Sequence, residues 1–121
     1  MLKRSYTRLS VAVCALVLAA APAFAHSHPV TMLPAKDATV AAPTELSIEF
    51  SEALDPKLST LELDDAKGTA VSTATAALDP ADAKHLTLAL PALTPGVYSV
   101  KWVSVATDGH RLNGTYSFTV K

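Results

Sequence analysis

The stretch Leu93-Thr94-Pro95-Gly96-Val97-Tyr98-Ser99-Val100-Lys101-Trp102 decides the fold. Pro95-Gly96 is a turn signal. Tyr98, Val100 and Trp102 then oppose Ser99 and Lys101, so that one face of a strand is dry and the other wet. A tyrosine just after such a turn matches a tyrosine corner, in which the hydroxyl ties the strand back to the chain upstream; the plainer reading is a core aromatic. The same period of two recurs on both sides. Leu46, Ile48 and Phe50 alternate in Thr44 to Ser51, Leu61 and Leu63 in Ser59 to Asp64, Leu86, Leu88 and Leu90 in the next run, and Tyr116, Phe118 and Val120 near the end. Turn signals separate the runs: Pro34 to Asp37, Asp55-Pro56, Asp64 to Gly68, Asp79-Pro80 and Asn113-Gly114. Ala74 to Ala83 reads equally as a loop or as a helical turn. Short strands at this spacing predict an all-β domain, an immunoglobulin-like Greek-key sandwich or barrel of about seven strands.

The first 25 residues read as a signal peptide rather than as structure. Lys3, Arg4 and Arg8 precede an apolar run from Val11 to Ala21, and Ala23-Phe24-Ala25 offers small residues for cleavage. The run is too short to span a bilayer, which takes about 20 residues, and no twin arginine is present, so export by the general secretory route is expected. A lipoprotein would need Cys14 at the cut, and it lies within the apolar run. Cleavage after Ala25 would leave one domain, residues 26–121. The leader takes three of the 10 Lys and Arg residues and none of the 11 Asp and Glu, so the formal charge moves from −1 to −4. An acidic domain without a basic cluster argues against nucleic acid and anionic membranes. Cys14 leaves with the leader, so a metal site in the mature chain must use nitrogen and oxygen ligands.

Cleavage there would give His26 a free α-amine beside its imidazole. The amine has a reference pKa of about 8 and yields its proton readily to a metal. Amine and ring together form a chelate, and copper(II) favours such tetragonal nitrogen and oxygen surroundings. His28 offers a competing mode: the amine, the amides of Ser27 and His28, and the His28 ring can wrap copper(II) or nickel(II) in a plane. His28 reads equally as a histidine outside the ligand set. Asp108-Gly109-His110 is the second constellation, in a loop at one end of the sandwich. Gly109 lacks a Cβ and allows Asp108 and His110 to turn to one side. Taken alone, this pattern also fits an Asx turn with an exposed histidine. Glu52 is either a carboxylate that orients a ligand or a strand-end charge. His85 reads as exposed and unrelated to the site, and Trp102 as core.

These residues resemble the CopC family of periplasmic copper-resistance proteins. The resemblance rests on His26 after a cleavage site, Pro34 to Val40, Phe50-Ser51-Glu52, the turn and strand from Leu93 to Trp102, and above all Val105-Ala106-Thr107-Asp108-Gly109-His110 followed by Gly114 to Val120. It implies a small Greek-key β-barrel or sandwich that binds one copper(II) ion per chain through the amine and ring of His26, with Asp108 and His110. It makes Glu52 a neighbour of the site and a CopD-type inner-membrane protein a partner. Some members carry a methionine-rich loop for copper(I). Only Met32 would remain here after cleavage, too few thioethers for that soft ion.

Three functions are open at this point. The first is a periplasmic, monomeric copper(II) carrier or buffer with no enzyme activity. The second is an N-terminal-histidine copper oxidase or monooxygenase, against which stand the short mature chain, its few aromatics, and a third protein ligand that would reduce open coordination. The third is a metal-free structural sandwich.

Overall fold

The computed structural model describes residues 26–72 and 74–121; the expected signal peptide lies outside the described residues. Eight strands form two four-stranded sheets. In chain order they are β1 (Pro29–Leu33), β2 (Thr39–Val40), β3 (Glu45–Phe50), β4 (Thr60–Asp64), β5 (Ala77–Asp79), β6 (Asp82–Ala89), β7 (Gly96–Val105) and β8 (Arg111–Val120). One sheet runs β1-β3-β6-β5 and the other β2-β8-β7-β4. The N-terminal strands edge both sheets: β1 pairs antiparallel with β3, and β2 pairs parallel with β8. No helix among the described residues is long and apolar enough to cross a membrane.

The alternating residues face each other across the sandwich. Leu46, Ile48, Phe50, Leu86 and Leu88 of the first sheet meet Leu61, Leu63, Tyr98, Val100, Tyr116, Phe118 and Val120 of the second in one buried cluster. Hydrophobic burial is the driving term, at roughly 25 cal/mol per Å² of apolar surface. The tyrosine corner is present: the Tyr98 hydroxyl donates to the Thr94 carbonyl at 2.7 Å. Trp102 is half-buried, its ring edge-on to Phe50 at 5.7 Å.

Besides the short strand β2, which the sequence reading does not foresee, the structure differs from that reading in three places. The undecided segment Ala74 to Ala83 is neither loop nor helix throughout, because Ala77–Asp79 pairs as β5 with β6. Pro29–Leu33 forms an edge strand, with Pro29 at its first position, where a missing N–H is tolerated. Asn113-Gly114 is no turn: both residues lie inside β8, opposite Val103 and Trp102. A Cβ on Gly114 would come within 2.5 Å of the Trp102 ring, so the ring occupies the space a side chain would need. The β7–β8 connection falls earlier, at Ala106 to His110.

Candidate metal centre

The site lies at the end of the sandwich where β3 and β7 finish and β1 and β8 begin. Backbone bonds stitch the sheets together there. Asp55 N donates to the Val105 carbonyl at 2.7 Å and Thr107 N to the Ala53 carbonyl at 3.2 Å. The turn that carries Asp108 and His110 is closed by Ala106 N to the His110 carbonyl (2.9 Å) and Gly109 N to the Ala106 carbonyl (2.8 Å). Gly109 has φ +91°, a conformation that favours glycine. Asp108 Oδ1 accepts the His110 backbone N–H at 3.0 Å, and Oδ2 lies 2.9 Å from His110 Nδ1. The Asx turn and the pairing of carboxylate with imidazole are thus both present. The His110 backbone N–H first, then its ring, hold the Asp108 carboxyl below the usual carboxylate range.

The segment before β1 is laid across the seam between the sheets. Ser104, fully buried on β7, donates its hydroxyl to the Ser27 carbonyl at 2.6 Å. Ser27, itself 1 % exposed, donates to the Glu52 carbonyl at 3.1 Å. Ser51 N donates to the His28 carbonyl at 2.9 Å. The Ser51 hydroxyl takes the His28 N–H at 3.1 Å and reaches the His26 carbonyl at 3.2 Å. Held in this way, the His26 ring meets the His110 ring edge-to-face, with centroids 5.3 Å apart. Residues from opposite ends of the described chain therefore converge on one point.

Of the residues singled out from the sequence, His110 meets His26 ring to ring and pairs with Asp108 through its carboxylate. His28 is exposed beside them, its Nδ1 3.1 Å from the His26 carbonyl oxygen and 3.2 Å from Ser51 Oγ. Glu52 is exposed and takes part in docking through its backbone carbonyl. His85 is less exposed than the sequence suggested. It sits on the outer face of the first sheet, its Nε2 bonded to the Ser47 hydroxyl and its Nδ1 3.8 Å from Asp79 Oδ2. Met32 packs against the core. Among the described residues no three His, Cys, Asp or Glu side chains are gathered to hold a metal. The serines were not foreseen. Ser104 carried a usable signal, a hydroxyl at a dry-face position of the Tyr98, Val100, Trp102 series; Ser27 carried none.

A CopC domain model matches residues 29–121, a span that includes Glu52, Asp108 and His110 and begins just after His28. Protein YobA of Escherichia coli K12 is 34 % identical over 116 residues, covering 94 % of each chain. Copper resistance protein C of Xanthomonas campestris pv. juglandis is 36 % identical over 118 residues, covering 93 % of each. Among solved structures, CopC from Methylosinus trichosporium OB3b superposes with a TM-score of 0.75 at 33 % identity, over 79 % of this chain and 94 % of that one. PcoC, a methionine-rich copper resistance protein from E. coli, gives 0.71 at 32 %, over 80 % and 100 %. With its two-sheet fold and a family match over most of its length, the chain belongs to the CopC family.

Proposed function

We propose that the chain is a periplasmic copper(II)-binding protein, a carrier or buffer in copper homeostasis or resistance, and not an enzyme. After cleavage behind Ala25, the amine and imidazole of His26 would hold one copper(II) ion together with Asp108 and His110. Copper is the cargo, and Glu52 and His28 would flank it. The observation that carries this reading is the approach of the His26 and His110 rings to 5.3 Å. A metal–nitrogen bond is about 2 Å, so the two rings need rotation rather than travel to share an ion. The donor chemistry fits: imidazole nitrogen, an amine and a carboxylate suit copper(II), and no thiolate is available among the described residues to select a softer ion. Family membership and the named copper resistance proteins among its relatives support copper as the metal. Delivery to a CopD-type membrane protein, and a monomeric state, belong to the same proposal.

Copper(II) would engage Asp108 and His110 only by replacing their mutual contact of 2.9 Å, which would disfavour binding to that pair before His26 supplies its chelate. The test is affinity by competition titration, comparing protein that begins at His26 with protein that keeps a Met before it. Blocking the amine should weaken copper(II) binding by at least about 100-fold, since even the outer partners of metal ligands typically contribute 10–100-fold. Equal affinities would remove the amine from the ligand set.

A further inference from the structure

The tripeptide His26-Ser27-His28 has two ways to bind a metal once its amine is free, and they exclude each other. In the docked arrangement His26 faces His110. In the wrapped arrangement the amine, the Ser27 and His28 amide nitrogens and the His28 ring form a plane of four nitrogens, a geometry that suits copper(II) and nickel(II). The wrapped form needs nothing from the rest of the protein, and on an unrestrained peptide it would compete for every ion.

The fold acts on one of the two peptide units that distinguish the modes. The Ser27–His28 peptide is gripped at both ends. Its oxygen accepts the buried Ser104 hydroxyl at 2.6 Å, and its nitrogen donates to Ser51 Oγ at 3.1 Å. Wrapping would turn that nitrogen into a metal ligand, break the Ser51 contact, and pull the Ser27 carbonyl away from a serine that is 0 % exposed. A buried hydroxyl left without a partner is destabilising, because it has given up water and gained no bond in return. The Ser27 side chain, also buried, would lose its bond to the Glu52 carbonyl. Ser104 comes from β7 of one sheet and Ser51 follows β3 of the other, so release of the arm must undo contacts to both.

We propose that Ser104, with Ser51, is a positioning residue for metal capture: it grips the Ser27–His28 peptide, keeps His26 beside His110, and withholds the planar four-nitrogen chelate of His26-Ser27-His28. This rests on the docked copper site proposed above. It makes the N-terminal histidine's specificity a property of the fold rather than of the tripeptide, and it disfavours nickel(II), which the wrapped form would accept.

The test uses protein beginning at His26 and reads visible circular dichroism, in which a metal wrapped by backbone amides gives strong bands, after adding one equivalent of copper(II) or of nickel(II). Wild type should show no such nickel(II) band; Ser104→Ala should gain one, and Ser104→Ala with His28→Ala should lose it again. For copper(II), His110→Ala should weaken wild type by at least about 100-fold but the Ser104→Ala protein by less than about twofold. Ser51→Ala removes the grip from a half-buried position and carries the same prediction should Ser104→Ala fail to fold. Ser59→Ala removes a comparably buried hydroxyl, bonded to Val105 N at 3.1 Å, and should leave both signals as in wild type. If copper(II) binding to Ser104→Ala and Ser51→Ala still depends on His110, with no amide bands, the grip does not govern the mode. If wild type is itself indifferent to His110→Ala, the docked site fails, and the proposal with it.

Discussion

Asp108 and His110 are joined twice, through the Asx turn and through carboxylate and ring, so each fixes the other before any metal arrives. His110→Ala should therefore remove a ligand and also free the Asp108 carboxylate to rotate. Titration with a copper(II) competitor should show a loss of at least about 100-fold in affinity. His85→Ala, on the outer face of the first sheet, should leave affinity unchanged; the reverse pattern would mean the wrong histidine has been assigned. Tyr98→Phe should cost about 0.5–1.5 kcal/mol in urea denaturation, the ordinary net value of a hydrogen bond, because it deletes the tie to the Thr94 carbonyl. At this scale the ionisable members of the proposed site stand out in the sequence, since Asp-Gly-His and a histidine after an expected cleavage site are local patterns. The serines that dock the arm were not. A hydroxyl that accepts or donates across 77 positions, as Ser104 does to Ser27, leaves no local trace beyond a polar residue where the alternation calls for an apolar one.

The strands that alternate cleanly were legible because burial on one face imposes a period of two, and β3, β4, β6 and β7 follow it. Legibility fails where a distant partner overrides a local tendency. Asn113-Gly114 has strong turn chemistry, yet Trp102 covers Gly114 from the neighbouring strand and the pair stays in β8. Gly114→Ala should thus destabilise by about 1–3 kcal/mol, the usual cost of overpacking, measured by chemical denaturation. A neutral result would show that the Trp102 ring moves aside freely. Strands β1 and β2 were missed because β1, on a sheet edge, has no alternation of buried and exposed positions, and β2 has only two residues. They matter most for the site all the same, since β1 begins where the histidine arm ends.

Across the whole molecule, alkaline pH should unfold the protein more readily than neutral pH. Burial pushes the Tyr116 hydroxyl from 10.0 up to about 12, and among the described residues it has no hydrogen-bond partner. Between those values the unfolded chain has released the proton and the folded one keeps it. The contribution is complete below pH 10 and falls as pH rises towards about 12, by on the order of 2–3 kcal/mol at its limit. Lys101 acts in the same direction: its bond to Asp64, at 2.6 Å, raises its pKa above 10.5, so that its contribution is present below that value and is lost as pH climbs through the higher folded one. Urea titrations from pH 8 to pH 11.5 should show this decline, and Tyr116→Phe should flatten much of it. The central claim concerns copper, and its most direct test is an electron paramagnetic resonance spectrum of the protein beginning at His26 with one equivalent of copper(II). A single tetragonal, nitrogen-rich signal that changes in both Asp108→Ala and His110→Ala is the predicted result. A signal unchanged by either substitution but altered by His28→Ala would contradict it, and would mean that the N-terminal peptide binds the metal without the fold.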